Sequence, residues 1–472
     1  MPHCGTNNTK RITRDPHSGH RIRGTRLIEE LERKLDSFDS AERKQALLSL
    51  REKAEAGEIV LPEAGTRPWR VNLHCHTFFS YNTYGYSPSK FAWLARKAGL
   101  AVAGVIDFDV LDALEEFLEA GKMLGLKVCA GLESRVFVPE FADRVINSPG
   151  EPGISYHMGV GFPSAKLEGE QNEFLSNLRR IAQQRNKDLM DRVNKYLQPV
   201  ELDYERDVLV LTPSGNATER HMCLAYARKA KELFSRTEDL ANFWSEKLGV
   251  KVEASQLPES RDLLNGIRAK TMKRGGVGYV VPDKGSFPLM ADTNQFALAA
   301  GAIPTVTWLD GTSEGEKAVE ELLEVAMSTG SAALNVIPDR NYTVGHKGEK
   351  LQNLYQVVEL AEKLHLPLVV GTEMNSPGQR FVDDFDTQEL SPLLPIFLKG
   401  AHIVYAHSVL QQKCGLGYTS EWAKKNFESV AAKNEFFQAV GSSLEPEQED
   451  KLSGLSEDAT AQQILDIVKR ES

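Results

Sequence analysis

The sequence predicts an α/β protein, a distorted (β/α)7 TIM-like barrel with a helical insertion and helical N- and C-terminal extensions. Short apolar runs alternate with helix-like segments from Arg70 onward, the rhythm of repeated βα units. Several of these runs end in residues of metal-binding type, at the end of the strands where barrel enzymes assemble their sites. The rhythm stops between residues 166 and 275 and then resumes.

Taken in order, residues 1–66 form a basic lead-in and a helical arm. The lead-in carries Lys10, Arg11, Arg14, Arg21, Arg23 and Arg26 with no apolar core behind them, so no secretory signal is expected. The arm has apolar positions at Leu27, Ile28, Leu31, Leu35, Leu47, Leu48 and Leu50 among dense charge, and is expected to pack outside the main domain. Residues 67–165 make the first part of the barrel, with strands at 70–74, 100–106, 127–132 and 155–161. Residues 166–275 read as a charged, mainly helical insertion over or beside the barrel mouth, interrupted by a brief apolar run at 208–211. Strands at 302–307, 332–337 and 366–371 fall in the second barrel segment, 276–408. A helical extension, 409–472, holds helices at 420–440 and 460–469 around an acidic stretch and suits packing or homo-oligomer contacts.

The bulk numbers narrow the function. The 472 residues are 41% hydrophobic and 26% charged, the composition of an ordinary soluble globular protein. A net charge of −10 argues against nucleic acid as the main partner. No apolar run approaches the ~20 residues that span a bilayer. Five scattered cysteines without a CxxC pair suit a reducing cytoplasm rather than a disulfide framework.

The strand ends carry the chemistry. In Arg70-Val-Asn-Leu-His74-Cys-His76-Thr77 the two histidines are two apart and project from one face, while Cys75 points to the other, into the core. Paired imidazoles suit one divalent ion, though His-x-His alone is a common pattern. Later runs end in Asp107-Phe-Asp109, Glu133-Ser-Arg135, Thr307-Trp308, Pro338-Asp-Arg340 and Thr372-Glu373-Met-Asn375. Asp109 is expected to face solvent or stand behind the ligands. Thr218 is a candidate N-cap, which puts His221 in the first turn of a helix, where anions bind well.

As a set, these ends resemble the PHP (polymerase and histidinol phosphatase) superfamily of metal-dependent phosphoesterases. The resemblance covers residues 69–162 and 277–375 and leaves the arm and the C-terminal helices unexplained. His74 and His76 match the first motif, Asp107 the aspartate of Thr-Asp-His, Glu133 the bridging glutamate and His157 the histidine that follows. Thr218-Glu-Arg220-His221 resembles the Arg-x-His element that contacts phosphate in the nucleotide-hydrolysing branch. The chain also departs from the family. Phe108 replaces the histidine of Thr-Asp-His, and Thr307-Trp308-Leu309 stands for Ala-His-Pro. Thr372-Glu373-Met374-Asn375 stands for Ser-Asp-x-His, unless Tyr405-Ala-His407 takes that place.

The resemblance implies a first metal held by His74, His76, Glu133 and Glu373, a second at Glu133 and His157 with its third ligand lost to Trp308, and no third. Zinc, manganese or iron would suit the ligand set. It further implies a metal-dependent hydrolase of a small phosphate ester, with Asp107, Arg220 and His221 in catalysis. Beside the resemblance, Arg135 and Arg340 near strand ends are candidates to hold the substrate's phosphate or carboxylate groups, and Trp308 to stack on a sugar or base. Against this stand structural readings: Arg135 and Arg340 as ion-pair partners, His221 as a helix-face residue and His407 as a strand-end histidine. Two alternatives remain open, a PHP-like barrel that binds a metal or ligand without turnover, and an amidohydrolase- or uronate-isomerase-like enzyme, for which Asp384 is the only late aspartate of interest.

Overall fold

The runs rich in Val, Ile, Leu and Ala form seven strands because such residues suit a sheet buried on both faces. They are β1 (Arg70–Cys75), β2 (Leu100–Phe108), β3 (Val128–Phe137), β4 (Ile154–Val160), β5 (Ile303–Trp308), β6 (Ala333–Val336) and β7 (Leu368–Val370). The computed structural model describes residues 26–62, 69–281, 285–342 and 348–469. The chain forms two compact units that divide between Val60 and Leu61. In the first, residues 26–34 are helical and α1 (Ser40–Glu55) is capped by Asp39, whose side chain accepts from the Ala41 amide. The rest concerns the second unit.

The strands lie in sequence order, β1 to β7, in one sheet. The ends of that sheet meet at a parallel bridge between Cys75 and Glu373, which makes a nearly closed barrel. Gly371 sits at this seam because a Cβ there would lie 2.6 Å from the Cβ of His74. Every expected strand is present, but two features differ from a regular βα repeat. β4 runs antiparallel to both β3 and β5. β3 continues to Phe137, so Glu133 lies inside a strand, where the β3 extension pairs with β4.

Around the sheet lie α2 (Pro88–Lys97), α3 (Leu114–Leu124), α8 (Met290–Ala299), α9 (Val319–Ser328), α10 (Glu349–Lys363) and α11 (Leu394–Cys414). The insertion supplies α4 (Gly169–Leu197), α5 (Glu219–Leu233), α6 (Thr237–Leu248) and α7 (Arg261–Thr271). It has a core of its own, including Val193, Val208, Met222, Tyr226, Trp244 and Ile267. The apolar run at 208–211 is no strand: Tyr204–Val208 is a π turn and Leu209–Leu211 a 3-10 turn.

His407 is likewise no strand-end residue. It lies within α11, wholly buried, and its Nδ1 accepts from the Tyr418 amide at 2.9 Å. The β-branched run before it mimics a strand because α11 is buried along most of its length, leaving no polar face to betray the helical period. No described helix is long and apolar enough to cross a membrane.

Candidate metal centre and cavity

His74 on β1 and His76, the residue just past its end, come together, and Glu133 reaches them from β3, two strands away. The Glu133 Oε2 lies 3.7 Å from His74 Nε2 and 3.4 Å from His76 Nε2. Those separations are long for hydrogen bonds. They approach the edge of a tetrahedron of ligands about 2.0–2.1 Å from a central ion. All three atoms are buried and without a hydrogen-bond partner. Among the described residues this is the one group of three or more His, Cys, Asp or Glu side chains close enough to hold an ion.

The surroundings fix the imidazoles in the ligating tautomer. Ser80 gives its hydroxyl proton to Asp107 Oδ1 at 2.5 Å, so its oxygen can only accept from His76 Nδ1, 3.2 Å away. Asn335 Oδ1, 3.3 Å from His74 Nδ1, is also an acceptor. Each ring therefore keeps its proton on Nδ1 and turns the Nε2 lone pair toward Glu133. The histidines and the carboxylates beside them are electrostatically coupled. Burial would push Glu133 up, but His74 and His76 outweigh it and hold the carboxyl at about 2. Burial would lower His74, yet Glu133 and then Glu373 raise it.

Asp107 works from behind this cluster. It accepts from the Thr77 amide at 2.8 Å, the Thr77 hydroxyl at 2.6 Å and Ser80, which pins the turn after β1. It does not line the cavity next to the cluster.

His157 and Glu373 are not brought into the group. His157 pairs in register with Ser134, not Glu133, so it shares the opposite face of the sheet. Its Nε2 lies 2.6 Å from Asn294 Oδ1 on α8, and burial lowers its pKa to about 4. Trp308 is displaced by the same parity. It pairs with Val336 and packs among the helices beside Gly311, while Thr307 and Asn335 occupy the cluster's face of β5 and β6. Thr307 Oγ1 and Asn335 Nδ2 are also buried without a partner.

Above the cluster lies a cavity of about 140 Å³ whose walls come from the barrel and the insertion. Phe108 forms part of its floor and stacks on His76 with ring centroids 4.5 Å apart. Six cationic side chains line it (Arg135, Arg185, Arg220, Arg268, Lys273 and Arg340) against the carboxylates of Asp109, Glu219 and Glu373. Arg135 pairs with Glu151 at 3.0 Å, and Glu219 takes both Arg268 and Lys273 at 2.9 Å. Arg220 donates to Asn265 at 2.7 Å and Arg185 to the Ser286 carbonyl at 3.2 Å. Neither forms an ion pair with a described carboxylate within 4 Å. Their charge is available to an anion.

His221 is turned away. Thr218 is indeed the N-cap of α5, and its amide donates to His221 Nδ1 at 3.1 Å, closing a capping box. Burial lowers His221 to about 3, and Tyr81 packs edge-on against its ring.

No family model and no curated protein matches the chain. The solved structures to which the chain is similar include two at low identity. An amidohydrolase from Chromobacterium violaceum with bound sulfate and no metal is 14% identical over 67% of this chain and 91% of its own, with a TM-score of 0.46. A protein described as a "putative metal-dependent phosphoesterase" from Bifidobacterium adolescentis is 18% identical over 71% of this chain and 98% of its own, with a TM-score of 0.44.

Asp109 is the functional candidate that the sequence undersold. It lines the cavity, its Oδ1 accepts from Ser134 Oγ at 2.6 Å, and its amide donates to the Glu133 carbonyl at 2.9 Å. Its φ of 60° is left-handed, a conformation non-glycine residues adopt at a cost. Burial raises its carboxyl above the usual range. A left-handed residue carries no certain sequence mark, though Asp adopts that conformation more readily than most. No pattern in the sequence marks Arg185 and Arg268, on α4 and α7, or Lys273, just past the end of α7, because the insertion brings them to the cavity only in three dimensions.

Proposed function

We propose that this chain is a metal-dependent hydrolase of small phosphate esters. The observation that carries the reading is a set of three buried donors, each with an unpartnered atom aimed at one point, beside a cavity with more cations than carboxylates. Three protein ligands leave one position of a four-coordinate ion to water or substrate, the pattern of catalytic rather than structural zinc. A divalent ion supplies Lewis acidity at such a site, polarising a phosphoryl oxygen and making water a better nucleophile.

The chain's own residues do the rest. The cavity's arginines hold the anionic oxygens, and Asp107 acts through Ser80 and the turn after β1 to keep His76 aimed. In hydrolysis the water oxygen bonds to phosphorus while the ester P–O bond breaks. The leaving oxygen takes that bond's electron pair and gains a proton, as the water gives one up. We assign the proton's hand-over to Asp109, a carboxyl that lines the cavity and that burial raises above the usual range.

The complete burial of the three donors under Phe108 favours the alternative, a barrel that holds a metal without turnover. One experiment separates the two. Wild type and a His74→Ala/His76→Ala variant are purified without chelator, assayed for metal by elemental analysis and screened against phosphate monoesters and diesters. About one equivalent of metal and turnover in wild type, both lost in the variant, is the expected result. Metal without turnover across the screen leaves the binding barrel. No metal after reconstitution with zinc, manganese and iron ends both readings.

A further inference from the structure

Glu373 and Arg340 form a unit built into the rim of the metal cluster. The Glu373 backbone is wedged between those of the two histidines: its amide donates to the His74 carbonyl and its carbonyl accepts from the His76 amide, both at 2.8 Å. Glu373 and Met374 are both left-handed, with φ of 60° and 55°. Two consecutive non-glycine residues in that conformation are costly and persist only where the surroundings hold them. Here the strained turn sends the Glu373 side chain into the cavity wall rather than down to the cluster.

Once there, its Oε2 is saturated. It accepts from Arg340 Nη2 at 3.0 Å, Arg340 Nε at 3.3 Å and Gln379 Nε2 at 2.9 Å. Gln379 is held in turn by the Ser376 amide, which donates to its Oε1 at 2.8 Å. Oε2 is thus engaged by three N–H donors, and neither carboxylate oxygen of Glu373 comes close enough to all three cluster atoms to join them. Arg340 spends only the Nε edge of its fork on Glu373. The Nη1/Nη2 edge retains its donors, 41% of the side chain is exposed, and Arg340 lines the cavity. That edge matches two oxygens of a phosphoryl group.

We propose that Glu373 is not a metal ligand but the anchor of Arg340, whose free guanidinium edge grips the phosphoryl group of the substrate beside the metal cluster. The unit makes Arg340 a specificity-determining residue for tetrahedral anions, and its position is keyed to the histidines through the Glu373 backbone. The inference rests on the phosphate-ester reading for its substrate, but its own claims, about metal content and anion binding, are measurable without turnover.

The test uses the full-length, metal-loaded protein and inorganic phosphate as the probe. Glu373→Gln and Glu373→Asp are assayed for metal per chain. Arg340→Ala and Arg340→Lys are titrated with phosphate by calorimetry, with thermal unfolding as a check on folding. Metal content at the wild-type level in both Glu373 variants is expected. Phosphate affinity should fall on the order of 10- to 100-fold in Arg340→Ala, recover only in part in Arg340→Lys and be restored toward wild type by added guanidinium ion at low millimolar concentration. Loss of metal in folded Glu373→Gln overturns the proposal, because Glu373 is then a ligand. Wild-type phosphate affinity in Arg340→Ala overturns it too, while leaving the hydrolase reading intact. Absence of turnover in wild type with these binding results unchanged overturns the hydrolase reading and leaves the Arg340 grip standing.

Discussion

The rim formed by β1 and β3 and the stretch formed by β4 and β5 carry the same kinds of residue and put them to different use. On β1 and β3, His74, His76 and Glu133 lie on one face and converge. On β4 and β5, His157 and Trp308 lie on the other face and pack into the helices. A single step of register separates the two outcomes, because each residue along a strand reverses the direction of its side chain. Residue identity proposes a ligand, and strand parity decides whether it reaches the cluster.

The largest expected effect that would break this contrast is at Trp308. Replacing a wholly buried indole with alanine should cost about 3–5 kcal/mol of stability, read by denaturant unfolding, with metal content per chain unchanged. Loss of metal from the folded variant would return Trp308 to the site. A smaller effect sharpens the other side of the comparison. In Asp107→Asn the carboxylate behind Ser80 is lost, and metal affinity should fall about 10- to 100-fold, as for other groups that orient a ligating histidine. Competition with a fluorescent chelator reads this directly, and wild-type affinity would show that the turn holds His76 without Asp107.

The smallest effect lies away from both rims. Burial lowers His407 to about 3, whereas the unfolded chain binds that proton near 6.5. The folded state thus gains from a neutral ring above pH 6.5, and this gain drains away as the pH falls toward 3. Its share is about 1.4 kcal/mol per pH unit within that window. Chemical denaturation at pH 7 and pH 5 should show a smaller loss in His407→Gln than in wild type, and equal losses would rule out a neutral buried ring.

The barrel was legible because its strands are short apolar runs, and all seven lie where the apolar pattern put them. Strand direction was not legible. The run at β4 reads the same either way, and only its pairing with β3 and β5 reveals that it is antiparallel and that His157 faces out. His74, His76 and Glu133 were visible as residue types at strand ends. Glu373 was visible as a carboxylate but not as an arginine's partner, since its direction depends on a left-handed turn that no local pattern marks. His221 was placed correctly in the first turn of its helix, yet what it touches, the Thr218 amide, decides against a part in the cavity.

The seam between β1 and β7 has a consequence for how the molecule holds together. Cys75 and Met374, 299 positions apart, touch there through their sulfur atoms at 3.6 Å. Bringing such distant stretches together carries a loop-closure entropy that only late contacts can offset. The hydrogen bonds that fasten the first strand to the last are those flanking the two histidines. An ion bound by His74, His76 and Glu133 would tie the β1 side of that seam to β3, so its binding free energy would add to the stability of the folded barrel. Amide exchange at His76 and Glu373 would then slow as metal is added, reporting barrel closure and metal occupancy as a single event.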